Sequence, residues 1–389
     1  MACRPLLAAL VASAAALLPA AVAHGIAPNP YVALGDSYTA GTLVPNQVGQ
    51  PAGCLRSDRN YPSLVRAATG PPLRDVSCSA ATTADLTAPQ PVVLGTNPPQ
   101  FNALSADAGL VTIGIGGNDV GLVGAAITCV RLGLLAPTGT ACRSNFAKPG
   151  GGDQLVDQIA ATAPKIAAAL QGIHARSPQA RVLIVGYPAV APRNGKGCYP
   201  LVPLSDDDIT YLDEMLRRTN AMLAEQAVGN DAEYVDTYEE SSGHDVCTLP
   251  GTRWFEGLIP TAPAFPIHPN ALGEASMARS VLRVLGRPRP APVLGPLRRS
   301  KRTIVAGRGL RVSYTLSRPA NVTFGLQRAR GGGQYTSVRR LTGVDAKGGE
   351  HVVTLSAKQL GRRAGLYRLT ATVADGRSQL TYFRIRRPR

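Results

Sequence analysis

The 389 residues are enough for one large domain and one small one. The formal net charge of +16 describes neither of two parts, because residues 1–286 hold 18 Lys and Arg against 22 Asp and Glu, whereas residues 287–389 hold 23 against 3. After a first apolar segment, no stretch is apolar enough to cross a bilayer, which excludes a polytopic membrane protein.

Residues 1–23 have the pattern of a secretory signal peptide. Arg4 precedes an apolar run, Leu6 to Ala21, that is short for a membrane span, and Ala21-Val22-Ala23 is a small-x-small cleavage site. We therefore predict an exported chain that begins near His24 and acts outside the cell or at its envelope. A membrane anchor is the alternative. Export argues against nucleic acid as a physiological partner.

Residues 24–286 are predicted to form an α/β domain, because apolar strand-like runs alternate with longer helical patterns. The fold class is a three-layer α/β/α arrangement with a parallel sheet covered on both faces. The segments Cys78 to Leu110 and Gly116 to Gly152 are expected to be rich in loops. The strand candidates are Tyr31–Leu34, Arg74–Val76, Leu110–Ile115, Val182–Val185 and Tyr234–Val235, and the helix candidates are Gln154–Ala175, Asp207–Val228 and Asn270–Leu285.

Residues 287–296 form a linker rich in Pro and Arg that cannot continue a helix. Residues 297–389 then alternate apolar and polar side chains, with Gly and Asp at the turns, which predicts a small antiparallel β-sandwich. Its strand candidates are Leu310–Leu316, Ala320–Gln327, His351–Leu355, Gly365–Val373 and Ser378–Ile385. The excess of Arg suggests binding to anionic cell-envelope polymers or membranes, although it also suits a role in solubility alone.

Six cysteines remain once Cys3 is lost with the signal peptide, and an even number in an exported chain favours disulfides. Fifteen pairings are open. The nearest-neighbour set closes three modest loops that do not cross, and we favour it. A zinc site is the alternative, but no CxxC or HxxxH spacing supports it. The favoured pairs are Cys54–Cys78, Cys129–Cys142 and Cys198–Cys247.

Three segments place reactive side chains at the ends of predicted strands or before a helix. Gly35-Asp36-Ser37 follows the first strand, where a serine hydroxyl is exposed at the sheet edge, and Gly116-Gly117-Asn118-Asp119 follows another, where the Asn118 amide can act as an oxyanion donor. His268 lies just before Pro269, which opens the last helix. Taken singly, each segment is also compatible with an ordinary turn or a plain loop histidine.

Together these segments resemble the SGNH hydrolases, also called GDSL-type esterases and lipases, over about residues 30–286. Gly35-Asp36-Ser37 matches the family's nucleophile block, Gly116-Gly117-Asn118-Asp119 its oxyanion block, and His268-Pro269 its base block. The resemblance implies a flavodoxin-like sheet, Ser37 as nucleophile, His268 as general base, and the Ser37 N–H and the Asn118 side chain as oxyanion donors. The resemblance is strongest to secreted actinobacterial members with three sequentially paired disulfides.

Two positions depart from the family pattern. Ala80, in Cys78-Ser79-Ala80, replaces a Gly donor, although its backbone N–H survives if the turn permits its φ. Phe265 stands three residues before His268, where members often carry Asp. We therefore predict a Ser–His dyad in which the Phe265 carbonyl orients the imidazole. A carboxylate of Asp245 or Glu256 bonded to His268 would contradict it.

The resemblance implies an ester hydrolase that works through an acyl-enzyme and needs no metal or organic cofactor. We predict a monomer acting on a small-molecule or lipid ester. Aromatic and aliphatic residues near His268 are candidates for an acyl pocket or for plain core: Trp254, Phe255, Leu258, Ile259 and Phe265. The competing hypotheses are a carbohydrate acetylesterase with the same site and a catalytically idle protein that binds the cell envelope.

Overall fold

A computed structural model describes residues 29–287, 292–317, 320–346, 348–373 and 378–388. The predicted signal peptide, residues 1–23, and residues 288–291 of the predicted linker lie outside the described residues. Within the described part, no helix is both long enough and apolar enough to span a membrane.

The first part of the chain contains a five-stranded parallel sheet. Its strands lie in the order β2-β1-β3-β4-β5, which is the flavodoxin-like order. Every residue of β1 is buried, because helices cover both faces and leave no polar side to the sheet. The predicted fold class is confirmed. The strands are β1 (Tyr31–Gly35), β2 (Leu73–Asp75), β3 (Leu110–Gly114), β4 (Arg181–Val185) and β5 (Glu233–Val235).

Eight helices accompany this sheet in the described residues. The pair α2 and α8 packs together, and so does the pair α6 and α7, which gives one helical layer on each side of the sheet. The helices are α1 (Ser37–Ala40), α2 (Tyr61–Thr69), α3 (Gly117–Val120), α4 (Leu122–Leu135), α5 (Ala141–Phe146), α6 (Gln154–Arg176), α7 (Asp206–Gly229) and α8 (Ala271–Leu285).

The expectation of a loop-rich segment from Gly116 to Gly152 was wrong, because α3, α4 and α5 occupy much of it. Glycines inside α4 weaken its helical signal in the sequence. One of them, Gly133, is there for a tertiary reason: a Cβ at this position would lie 1.9 Å from the Pro203 carbonyl oxygen. Glycine therefore occupies this helical position, despite its low helix propensity, because a neighbouring loop approaches too closely for a side chain.

The second part of the chain forms two packed sheets with a hydrophobic core of their own. The order is β7-β13-β12-β9-β10 in the five-stranded sheet and β6-β8-β11 in the three-stranded one. The sheet-rich expectation is confirmed, although the sequence did not reveal β10. The elements are β6 (Arg298–Arg299), β7 (Thr303–Val305), β8 (Leu310–Leu316), β9 (Ala320–Gly331), β10 (Gln334–Ala346), β11 (Gly349–Leu355), α9 (Ala357–Leu360), β12 (Gly365–Val373) and β13 (Ser378–Arg386).

The six cysteines are paired in the structure as nearest neighbours along the chain, which is the set that the sequence favoured. Each bridge ties loops or helices around the sheet and none reaches into the second part of the chain. The pairs are Cys54–Cys78, Cys129–Cys142 and Cys198–Cys247.

Candidate active site

Ser37 lies two residues beyond the end of β1, at the first position of α1. Asp36 caps this helix, since its Oδ1 accepts the Tyr38 N–H at 3.0 Å, and its own N–H donates to the Gly114 carbonyl on β3 at 2.9 Å. Gly35 has a φ of 149°, and a Cβ there would lie 2.5 Å from the same Gly114 oxygen. Only glycine therefore allows the chain to turn so closely from strand to nucleophile.

His268 contacts Ser37 directly. Its Nε2 lies 2.7 Å from Ser37 Oγ, although the two residues are 231 positions apart in the chain. The loop that carries His268 is fixed to α1 by the Tyr38 hydroxyl, which donates to the Ile267 carbonyl at 2.7 Å. Ile267 has a φ of 62°, a strained value for a β-branched residue.

The carbonyl that orients His268 belongs to Pro266 and not to Phe265, so the predicted orienter was wrong by one residue. His268 Nδ1 lies 2.8 Å from the Pro266 oxygen. The Phe265 carbonyl instead accepts the backbone N–H of His268 at 3.1 Å, which closes a tight turn and directs this oxygen away from the ring. The Phe265 side chain packs edge-on against the imidazole, with ring centroids 5.2 Å apart.

Neither alternative carboxylate is bonded to the imidazole. Asp245 accepts the Cys247 N–H at 2.9 Å, and Glu256 accepts the Thr261 N–H at 2.7 Å and the Asn270 amide at 2.8 Å. Both carboxylates therefore stabilise the loops in which they lie. Because a carbonyl oxygen only accepts hydrogen bonds, the Pro266 contact places the proton on His268 Nδ1 and leaves Nε2 free to accept the Ser37 proton.

Burial lowers the pKa of His268 to about 4, and the Pro266 carbonyl opposes this shift only in part. The cause is desolvation, which disfavours the imidazolium when no anion lies beside it. At neutral pH the imidazole is therefore uncharged. This is the protonation state that a general base requires.

Asn118 lies on the other side of Ser37, in the first turn of α3. Its Nδ2 donates one hydrogen to the Ala81 carbonyl at 2.8 Å, which leaves the second hydrogen of the amide for another acceptor. Ala80, beside that partner, has a φ of 64°, so the turn does adopt the conformation that the usual glycine would favour. Among the described residues, the N–H groups of Ser37 and Ala80 donate to no backbone carbonyl.

A buried chain of hydrogen bonds joins the nucleophile turn to the Asn118 turn. The Tyr187 hydroxyl donates to Asp36 Oδ2 at 2.5 Å and accepts the Gly117 N–H at 2.7 Å. A Cβ on Gly117 would lie 2.9 Å from this phenol. Burial raises the pKa of Asp36 to about 7, while the hydrogen bonds from Tyr187 and Tyr38 oppose the shift.

Asp119 ties the segment around Ala80 to the same turn. Its carboxylate accepts the Thr83 N–H at 2.9 Å and the Thr83 hydroxyl at 2.5 Å, and it pairs with Lys165 at 3.4 Å. The sequence-based prediction included Asp119 only as part of a motif, and it assigned no role to Tyr187 or Pro266. The position of Asp119 directly after Asn118 was a usable signal, whereas Tyr187 follows β4 without any motif.

An apolar pocket extends from Ser37 and Asn118 between α4 and α7. Of the five sequence candidates for an acyl pocket, only Leu258 lines it. Trp254 stacks on His244, Phe255 is core, Ile259 is 83% exposed and Phe265 packs on the His268 imidazole. The aliphatic lining along α4, α7 and the loops around them comprises Leu122, Val123, Ala126, Val130, Val190, Val202, Leu204, Ile209, Leu212, Leu216 and Val246.

Among the described residues, no group of three or more His, Cys, Asp or Glu side chains is arranged to hold a metal ion. The Asp36 and Asp119 side chains are instead hydrogen-bonded to backbone N–H groups and hydroxyls, and Asp119 also pairs with Lys165.

Residues 33–275 match the model of the GDSL-like lipase/acylhydrolase family. The chain is 42% identical to Lipase 2 of Streptomyces coelicolor over 261 residues, which covers 66% of this chain and 85% of the relative. It is 31% identical to a lipase of Streptomyces rimosus over 276 residues, or 70% of this chain and 90% of that lipase.

Two solved structures superpose on the same part of the molecule. Phospholipase A1 from Streptomyces albidoflavus NA297 gives a TM-score of 0.55 at 26% identity and covers 66% of this chain and 99% of its own. The extracellular lipase of Streptomyces rimosus gives 0.53 at 26% identity, covering 66% and 98%. These matches span about two thirds of this chain and nearly the whole of each relative.

Proposed function

The chain belongs to the GDSL-like lipase/acylhydrolase family and is an ester hydrolase, and we propose that it cleaves lipid carboxylic esters through an acyl-enzyme on Ser37. The observation that carries the proposal is the 2.7 Å contact between Ser37 Oγ and His268 Nε2 at the mouth of an apolar pocket. A nucleophile and a base within hydrogen-bond reach are the minimum for serine catalysis.

In the first step, Ser37 Oγ attacks the ester carbonyl carbon while its proton passes to His268 Nε2. The imidazolium that forms keeps its Nδ1–H on the Pro266 carbonyl, which stabilises it by a dipole in place of the usual carboxylate. The tetrahedral intermediate then collapses, the C–O bond to the alcohol breaks, and His268 returns its proton to the leaving oxygen.

The oxyanion of that intermediate is stabilised by three donors: the Ser37 N–H, the Ala80 N–H and the free hydrogen of the Asn118 amide. Two observations support this set, namely the left-handed φ of 64° at Ala80 and the fixed orientation of Asn118 on Ala81. Donors that are already in place do not have to reorganise as the negative charge develops.

In the second step, water gives a proton to His268 and attacks the carbonyl carbon of acyl-Ser37. The bond between that carbon and Ser37 Oγ then breaks, His268 returns the proton to Oγ, and the acid is released. Each step thus uses the same base and the same donors.

The apolar pocket favours a fatty acyl ester as substrate. An acetyl group would leave most of its aliphatic lining unfilled, whereas each buried methylene of a longer chain gains about 0.8 kcal/mol of transfer free energy. The activities for which the relatives are named, lipase and phospholipase A1, agree with this choice. The same observation disfavours the carbohydrate acetylesterase, and the Ser37–His268 contact disfavours a catalytically idle protein.

We also propose a division of labour along the chain: export by residues 1–23, catalysis by residues 24–286, and attachment to anionic envelope material by residues 297–389 after the linker 287–296. The three disulfides and the extracellular Streptomyces rimosus relative support export. The charge of about +20 on residues 287–389 supports attachment by long-range electrostatics.

The test is hydrolysis of p-nitrophenyl esters from acetyl to palmitoyl by the purified chain, with Ser37→Ala as the control. We expect kcat/KM to rise from acetyl towards medium or long chains and to be abolished by Ser37→Ala. A preference for acetyl alone would support the carbohydrate acetylesterase, and turnover that survives in Ser37→Ala would contradict the mechanism.

A further inference from the structure

The outer face of the five-stranded sheet in the second part of the chain carries a row of polar side chains. Along β9 and β12, alternate residues such as Phe324 and Leu369 point into the core, so the residues between them face outwards. Register places one cross-strand row on this outer face: Ser337, Gln327, Arg368 and Tyr382. The neighbouring row is Arg340, Gly325, Thr370 and Leu380.

The first row is organised around Arg368. Its guanidinium lies 4.4 Å from the centroid of the Tyr335 ring, and its Nε donates to Gln327 at 2.8 Å. The Tyr335 ring in turn lies 6.1 Å from that of Tyr382, which is 40% exposed. Two aromatic rings and a fixed guanidinium therefore share one open surface.

The charge of this surface has one sign. Arg340, Arg384 and Arg386 are exposed, and neither row contains an acidic residue. Asp345 pairs in register with Asn321, at the end of β9 away from Tyr335. Next to the arginines, the groove on this face is lined by hydroxyl and amide side chains: Asn321, Thr323, Gln327, Ser337, Thr370 and Thr372.

We propose that this face, here called the Arg–Tyr face (Tyr335, Arg340, Arg368, Tyr382 and Arg384), binds an anionic polysaccharide. Exposed tyrosine rings suit the apolar faces of sugar rings, the guanidinium groups suit carboxylate or phosphate, and the threonines and glutamine suit sugar hydroxyls. A bilayer is disfavoured as the ligand, since a surface that inserts into lipid needs several bulky apolar side chains, whereas Leu380 in the second row and Leu366 beside Arg384 are set among arginines. The proposal rests on the attachment proposed above for residues 297–389, for which it names the surface and the ligand class, and it does not depend on ester hydrolysis.

The test compares two double variants that remove the same charge. Arg340→Gln with Arg384→Gln alters the Arg–Tyr face, whereas Arg308→Gln with Arg311→Gln removes two exposed arginines outside it. Within the described part of the chain, none of these four side chains makes a hydrogen bond or an ion pair. Tyr382→Ala removes a ring without changing charge. Thermal unfolding of every variant checks that the fold is retained.

Binding of the full chain is measured at low ionic strength with polygalacturonate, phosphorylated dextran, neutral dextran and phosphatidylglycerol vesicles. We expect Arg340→Gln/Arg384→Gln to raise the Kd for the anionic polymers about tenfold. We expect the control pair to raise it about threefold or less, and Tyr382→Ala to raise it at least about threefold. The two anionic polymers distinguish carboxylate from phosphate as the recognised group. Equal weakening by both double variants, equally tight binding of dextran, or a strong preference for vesicles would overturn the proposal.

Discussion

The residues on the two sides of Ser37 are held in place by different kinds of contact. On the base side, His268 is held by the Pro266 carbonyl, by the Tyr38 and Phe265 rings and by backbone hydrogen bonds, with no carboxylate bonded to it. On the oxyanion side, buried carboxylates hold the turns: Asp36 through Tyr187, and Asp119 through Thr83. In the proposed mechanism, the acids of this site therefore position the oxyanion donors, whereas the base is oriented by a carbonyl dipole.

Removing the base should have the largest effect. We expect His268→Ala to lower kcat by about 10⁴-fold, because among the described residues only His268 is hydrogen-bonded to Ser37 Oγ and so placed to take its proton. His244→Ala is the matched control, since that histidine stacks on Trp254 away from Ser37 and should leave kcat nearly unchanged. An equal loss of kcat in both variants would indicate a general structural effect and would contradict the role of His268 as the base.

Removing the oxyanion donor should come next. We expect Asn118→Ala to lower kcat by about 10²- to 10³-fold with little change in KM, because the amide acts on charge that develops only in the transition state. Steady-state kinetics on a medium-chain p-nitrophenyl ester measures both constants. If KM rose while kcat stayed constant, Asn118 would be a substrate-binding residue and the oxyanion side would need another donor.

Breaking the hydrogen bonds that join Asp36, Tyr187 and Gly117 tests whether the Asp36 carboxylate positions the oxyanion donors. Tyr187→Phe leaves Asp36 Oδ2 and the Gly117 N–H without their shared partner, and we expect kcat to fall about tenfold at an unfolding cost of about 1–3 kcal/mol. Tyr211→Phe breaks a similar tyrosine–carboxylate bond, to Asp153 at 2.8 Å, and neither residue lines the pocket that opens at Ser37. Similar losses of Tm with a loss of kcat only in Tyr187→Phe would support positioning, whereas matched kcat values would contradict it.

The dependence of kcat/KM on pH should show one step for Asp36, on the oxyanion side, and another for His268, on the base side. The step due to Asp36 is the smallest of the effects predicted here. As pH falls, protonation of Asp36, whose pKa is raised to about 7, should weaken the Tyr187 bond and lower kcat/KM by a few-fold. Activity should then disappear only near pH 4, where buried His268 gains its proton. Asp36→Asn is expected to remove the first step and to keep the second. If activity were instead lost completely in a single step near pH 6.5, His268 would have the pKa of a solvated imidazole, and burial would not lower it.

Much of this site was predictable because its parts are local sequence features. Ser37, Asn118 and His268 each follow a strand or precede a helix, and parallel strands bring their carboxyl ends to one edge. The orienting carbonyl was missed by one residue, because the choice between Phe265 and Pro266 depends on the left-handed conformation of Ile267. Tyr187 was invisible, since its role arises from a contact across 151 residues with Asp36.

The acyl pocket shows the same limit on a larger scale. The sequence candidates were taken from the neighbourhood of His268, but the lining comes from α4 and α7, which converge on Ser37 from distant parts of the chain. The sequence of α4 looked like a loop because glycines interrupt it, and one of those glycines is required by the close approach of the Pro203 carbonyl. Contacts of this kind leave no local pattern.

The most direct test of the dyad is labelling with a fluorophosphonate, followed by mass spectrometry of the modified peptide. We expect a single adduct on Ser37 in the wild-type chain, strongly slowed labelling in His268→Ala, and an unchanged rate in Glu256→Gln, since Glu256 holds Thr261 and Asn270 and not the imidazole. An adduct on another serine, or labelling of Ser37 that no longer depends on His268, would contradict a Ser37–His268 dyad.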